Sequence, residues 1–188
     1  RDGLKLYYPF KDNSPELLLS GATSFDGTDD YIDCGTGLGT DLGDNYSGSL
    51  SMSMWFKADT TSSNDGLFHI GSLSSESGEF EVQMYNNTLR FRLSNAVWWR
   101  QSDFTDTSSW HHLVCIYDTN SESNSKMYID GVSVGSTNGT FPSDADMDFN
   151  GLKTIIGSFY STSLTFEGSI ANVGIWNRAL SLSEIESI

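Results

Sequence analysis

The chain has 188 residues, with 25 acidic and 10 basic side chains, so its formal charge is −15 with neutral His. That length fits one domain able to bury roughly 70% of the surface its unfolded form exposes, and 13% aromatic content argues against disorder. The negative charge opposes phosphate backbones and anionic lipid surfaces, and no run of about 18 apolar residues occurs, so neither nucleic-acid binding nor membrane insertion is expected.

The chain opens at Arg1-Asp2-Gly3-Leu4 without a signal peptide. It is therefore expected to be mature, trimmed, or not secreted by that route. With 3 Pro and 18 Gly, turn signals recur about every ten residues, the spacing of an all-β sandwich or barrel. Strands are expected at Tyr31–Cys34 and Leu50–Lys57. In the second, Met52, Met54 and Phe56 point one way and Ser51, Ser53, Trp55 and Lys57 the other. The Ser/Asn-rich stretch Thr60–Asp65 reads as a loop, and Leu67–Gly71 as a strand.

The strongest local signal is a hairpin over Phe80–Leu93. An Asn86-Asn87 turn tolerates positive φ. It pairs Tyr85 with Thr88, Met84 with Leu89, Gln83 with Arg90, Val82 with Phe91, and Glu81 with Arg92. Apolar residues then meet on one face, and the opposite face carries a Glu81–Arg92 ion pair. Trp98-Trp99-Arg100-Gln101 follows; if extended, one Trp points in and the other out.

Further on, His112–Asp118 reads as a strand and Asn120–Ser125 as a loop. A hairpin turning at Asp130-Gly131 sets Ile129 against Val132 and Met127 against Val134. Strands follow at Thr154–Ser158 and Gly168–Asn177. A short helix closes the chain. Ser181-Leu182-Ser183-Glu184 is a capping box, with Leu180 and Ile185 placed as its hydrophobic staple. Cys34 and Cys115 each sit in an apolar strand pattern. They read as buried free thiols, since free Cys packs as a small hydrophobe; a disulfide between them would imply an oxidising compartment.

Six segments, in order, resemble the laminin-G-like jelly-roll domains of the concanavalin A-like lectin/glucanase superfamily. They are Ser24–Ile32, Leu50–Lys57, Trp110–Val114, Met127–Gly131, Ile155–Gly157, and Phe166–Val173 continuing through Trp176–Ser181. The resemblance covers nearly the whole chain. It implies two antiparallel sheets packed face to face, one of them concave, with a short C-terminal helix. Residues 1–188 are then a single domain, expected to be part of a longer extracellular or surface protein (secreted, cell-surface or virion).

Relatives of this type mostly bind glycans or proteins, and some of the superfamily are glycoside hydrolases. Retaining glucanases carry Glu-x-Asp-x-Glu on one strand. Glu79-Phe80-Glu81-Val82-Gln83 is the nearest match and lacks the third acid. Glu81 also faces Arg92, which favours its charged form. A catalytic pair is therefore not expected. His69, His111 and His112 are the only His, and the adjacent two point to opposite faces of a strand, which argues against zinc.

Calcium is the better metal candidate, because flexible acidic loops offer hard oxygens. The resemblance implies a site at the sandwich rim. Asp29 and Asp30, with Asp12-Asn13 and main-chain oxygens near Phe166-Glu167-Gly168, would form it. Asp144–Asn150 superficially echoes an EF-hand loop. It fails, because the sixth position is Phe149 and the twelfth is Ile155.

A glycan site needs stacking aromatics and planar polar groups. Trp110 and Trp176 lie in segments the resemblance assigns to packing, whereas Trp98-Trp99-Arg100 has no counterpart there. Trp98, Trp99 and Arg100 are therefore the candidate sugar platform. Tyr85, Gln83, Arg90, Arg92 and Tyr128 sit opposite apolar faces and would extend it, and Trp55 is a further candidate. The expected function is a non-catalytic, calcium-assisted carbohydrate-binding module. The alternative is an adhesive or virion protein that contacts other protein subunits. Sequons at Asn45, Asn86 and Asn138 matter only if the source glycosylates secreted proteins.

Overall fold

The structure is a computed structural model that describes residues 4–8, 21–72, 78–94, 97–118, 122–139, 147–159 and 164–188. Its strands form two seven-stranded sheets. In the first, β1 (Leu4–Tyr8) is followed across the sheet by β14 (Glu167–Trp176), β4 (Leu50–Ala58), β9 (His111–Tyr117), β10 (Lys126–Ile129) and β11 (Val132–Val134). The strand β2 (Thr23–Asp26) also pairs with β14. In the second sheet the order is β12 (Ser136–Gly139), β8 (Val97–Gln101), β7 (Thr88–Leu93), β6 (Gly78–Tyr85), β5 (Asn64–Gly71), β13 (Lys153–Ile156) and β3 (Ile32–Asp33). Every pairing between these strands is antiparallel. This is the expected two-sheet jelly-roll sandwich.

Period-two alternation builds the core. From the first sheet come Met52, Met54, Phe56, Leu113, Cys115 and Met127. From the second come Phe68, Ile70, Phe80, Val82, Met84, Leu89 and Phe91, in the same cluster. Complete burial of each such side chain is worth roughly 1.5–3 kcal/mol, which makes the interior, not the loops, the source of stability.

Both hairpins have the expected registers. Phe80 through Tyr85 pairs with Leu93 through Thr88, and Asn86 and Asn87 take φ of 47° and 58° at the turn. Asp130 and Gly131 likewise have positive φ, with Ile129 opposite Val132 and Met127 opposite Val134.

The C-terminal helix α2 (Leu182–Ile185) has its capping box, with the Glu184 carboxylate accepting the Ser181 backbone N–H at 2.9 Å. Arg178 clamps the same carboxylate at 2.6 and 2.9 Å. Leu180 and Ile185 are buried together in a second cluster with Val114 and Ile116, on the side of the first sheet away from the core. Ser51 fastens this cap: its hydroxyl donates to the Arg178 carbonyl at 2.9 Å and accepts the Leu180 N–H at 3.0 Å.

One helix has no sequence signal. The segment Gly37–Leu42 forms α1, whose first-turn N-cap position is Thr36 without a side-chain cap. Tertiary packing holds it. A Cβ on Gly39 would lie 2.4 Å from the Phe149 carbonyl oxygen, so only glycine lets the helix meet that loop. Met147 and Phe149, from the acidic 144–150 stretch, are themselves buried in the core. Cys34 and Cys115 are free thiols, partly buried and buried respectively. Burial raises the pKa of both, most strongly for Cys115.

Candidate functional site

The outer face of the second sheet gathers the polar residues. Because side chains alternate, the register fixes which of them share it. One row runs Ile155, His69, Glu81 and Arg92 across β13, β5, β6 and β7. The next runs Gly66, Gln83, Arg90, Arg100 and Ser136. A third sets Asn64, Tyr85 and Thr88 side by side.

The first row is roofed. Gly157–Phe159 and Leu164–Phe166 cross β5 here: the Gly157 N–H donates to the Leu67 carbonyl at 2.9 Å and the Gly66 N–H to the Leu164 carbonyl at 3.1 Å. The Phe159 ring stands edge-on to His69, centroids 5.5 Å apart, with the Arg92 guanidinium 5.4 Å from its centre. Glu81, 1% exposed, pairs with Arg92 through one oxygen and approaches His69 Nδ1 through the other at 3.3 Å.

The expected ion pair is thus present, but buried rather than on a wet face. His69 is its unforeseen third member. Arg92 and Gln83, 8% and 5% exposed, occupy the expected face yet form its floor. Removing either partner of a buried ion pair of this kind is strongly destabilising.

The accessible part is the neighbouring edge. Tyr85, Arg90, Arg100 and Asn64 are half-buried. The Arg90 guanidinium lies 3.8 Å from the Tyr85 ring centre, which fixes its plane by cation–π attraction. Burial first, and then the Arg100 charge, lower the pKa of Arg90. Gln83 donates its amide N–H to the Asn64 side-chain oxygen, tying the floor to the rim.

Three expected platform residues stand elsewhere. Trp99 is 3% exposed and stacks on Phe91 at 5.0 Å, so it belongs to the core. Trp98 is the register partner of Arg92 in β7, and its side chain lies outside the described residues. Trp55 and Tyr128 are in the first sheet, where they cannot extend a surface of the second. Trp55 stacks on His112 at 5.1 Å, and Tyr128 packs against the C-terminal cluster.

The two adjacent His do part, as their alternation requires. His112 is buried and shares a 2.8 Å hydrogen bond with Ser53. His111 is half-buried between Asp130 at 2.8 Å and Asp106 at 3.3 Å.

At the sandwich rim, Asp29 and Asp30 are joined by Asp26, with one carboxylate oxygen of each within 4.8 Å of the others. Asp26 immediately precedes Gly27 and was legible as the first of three acids at i, i+3 and i+4. Three exposed hard-oxygen donors fit a calcium ion in kind, though calcium takes six to eight ligands. Two of these carboxylates already accept backbone N–H groups, Asp26 from Thr28 at 2.8 Å and Asp30 from Asp26 at 3.2 Å. Asp12 lies outside the described residues, as do Asp144 and Asp146 of the other acidic stretch.

A laminin G family model, described as concanavalin A-like lectin/glucanases superfamily, matches residues 26–186. The chain belongs to this superfamily. Among curated proteins no significant sequence match occurs. Solved structures of the same superfamily shape include domain 4 of AbnA, an extracellular arabinanase of Geobacillus stearothermophilus, in complex with arabinotriose. It is 21% identical, with TM-score 0.57 over 90% of this chain and 77% of that one. The CBM40 of Ruminococcus gnavus IT-sialidase, bound to α2,3-sialyllactose, is 12% identical, with TM-score 0.70 over 97% of both chains. The leech intramolecular trans-sialidase is also 12% identical, with TM-score 0.71; this chain spans 28% of its length. At these identities the likeness is one of fold.

Proposed function

We propose that the protein is a non-catalytic carbohydrate-binding module that attaches its parent protein to glycans outside the cell. The observation that carries this reading is the Tyr85–Arg90–Arg100–Asn64 rim, set on a floor of Gln83, Glu81 and Arg92. An aromatic ring and planar hydrogen-bonding groups on one rigid sheet match the flat C–H faces and hydroxyls of a sugar. Glycan-bound modules of the same fold support it. Glu81 of the glucanase-like stretch pairs with Arg92, approaches His69 and is 1% exposed. That leaves it unsuited to protonate a glycosidic oxygen.

Calcium assistance, at Asp26, Asp29 and Asp30, belongs to the same reading. The adhesive alternative has less support. The exposed large apolar residues among those described, Tyr31, Val132, Leu182 and Ile188, are spread over three separate segments.

A glycan array of neutral and acidic structures, run with and without chelator, tests the proposal. Binding that is lost in a folded Tyr85→Ala variant supports it. Silence across the array, with a stable oligomer in solution, overturns it in favour of a protein-contact role.

A further inference from the structure

The first sheet ends at β11 and the second at β12, and Gly135 alone joins these two edge strands. A cleft of about 780 Å³ opens where they meet. That volume falls within the range of small-molecule sites, ~300–1,000 Å³. Glycine is required at the joint: Gly135 has a φ of 85°, and a Cβ there would lie 3.0 Å from the Arg100 carbonyl oxygen.

Ser133, Ser136 and Thr137 line the cleft, and Glu122 and Lys126 bring one charge of each sign. None of these five side chains is held in a hydrogen bond or ion pair among the described residues. Trp99 closes the inner end, but it is stacked on Phe91 and 3% exposed, so it offers no ring face. A ligand held here is therefore gripped through hydrogen bonds to hydroxyl and charged groups. An anion would meet Glu122 and a cation would meet Lys126, so the lining suits a neutral, hydroxyl-rich ligand.

The cleft continues the rim of the candidate glycan site. Ser136 lines it and is also the register partner of Arg100, in the row of Arg90 and Gln83. Three strand spacings separate Tyr85 on β6 from Ser136 on β12, roughly 14 Å at about 4.8 Å each. That span accommodates an oligosaccharide rather than a single sugar.

We infer that the glycan site is extended: a sugar chain lying over Tyr85 continues past Ser136 and places a neutral sugar in the cleft between β11 and β12. The inference rests on the glycan-binding reading and adds to it a ligand length and a second subsite.

Calorimetry with length series of one to six sugars tests it, using arabino-, manno- and chito-oligosaccharides and oligosialic acid. Within a neutral series the longer probes are expected to bind about tenfold or more tightly than the shortest, a gain of about 1.4 kcal/mol. Oligosialic acid should show no such gain, because each added residue brings a carboxylate towards Glu122. Thr137 is exposed at the mouth, so Thr137→Trp fills the cleft from the surface and should remove the gain. The length comparison needs no variant, so a poorly folding mutant does not obscure the result. Equal affinity for short and long probes overturns the extended site but leaves the glycan module standing. A gain confined to oligosialic acid overturns the neutral assignment. A gain that persists in folded Thr137→Trp overturns the cleft as its source. No binding in any series overturns both readings.

Discussion

A Cβ placed on Gly66 would lie 2.1 Å from the backbone nitrogen of Phe159. The chain crosses the outer face of β5 at the one position where a missing side chain lets it touch the strand. From there Phe159 reaches over His69 and Arg92. Gly66→Ala forces backbone against backbone, which no rotamer change relieves. It is expected to cost about 1–3 kcal/mol. It also lifts the roof from the Glu81 cluster, so glycan affinity should fall along with the melting temperature. Thermal melts and binding on the same sample check both; an unchanged melt would show that the crossing is not tightly held.

Trp99 and Arg100 are adjacent in sequence and opposite in role. Trp99 stacks on Phe91 inside the sandwich, and Arg100 stands on the outer face. Trp99→Ala should destabilise the fold by about 3–5 kcal/mol, the usual range for a buried Trp. The remaining folded fraction should bind with near-normal affinity. Arg100→Gln should do the reverse, with a melt close to wild type and weakened glycan binding. Denaturant titration beside calorimetry separates the two.

Local pairing was legible in the sequence wherever a tight turn fixed the register. The Asn86-Asn87 turn alone placed Gln83, Arg90, Glu81 and Arg92 on one face, as observed. What the sequence did not reveal depends on contacts between distant segments. His69 meets Glu81 across β5 and β6, strands not joined by a two-residue turn, so no local pattern sets their register. Phe159 roofs the cluster from a loop some ninety residues beyond Gly66. The same long-range packing turned an expected wet platform into a buried floor. Alternation showed that Trp98 and Trp99 part, but not which of them enters the core.

His112 gives the fold a pH dependence of definite sign. Burial lowers its pKa, and the nearby Asp130 carboxylate offsets only part of this. The unfolded chain therefore takes up a proton on this ring at a higher pH than the native state does. Stability contributed by neutral His112 is full above its unfolded value, about 6.5, and is lost as pH falls from there towards the native value. Within that window the loss is at most about 1.4 kcal/mol per pH unit for one proton. His112→Gln, which keeps a partner for Ser53, should flatten the slope between pH 6.5 and 5. Urea titrations of both proteins across that range decide the matter, and equal slopes would assign the acid sensitivity to other groups.

The rim acids make the calcium proposal measurable without any glycan. Asp26, Asp29 and Asp30 bring three carboxylates within 4.8 Å of one another, a repulsive arrangement that a divalent cation would relieve. Extracellular calcium modules bind with dissociation constants on the order of 10⁻⁴–10⁻³ M. At about 10 mM calcium this corresponds to roughly 1–3 kcal/mol of added stability, or several degrees in the melt of a chain this size. Magnesium should give a smaller shift, because it demands tighter octahedral geometry and sheds water reluctantly. Asp30→Asn should abolish the calcium shift while leaving the melt in chelator unchanged or raised, since it also removes one of the three like charges. An identical response of wild type and Asp30→Asn to calcium would sink this site, whatever the glycan data show.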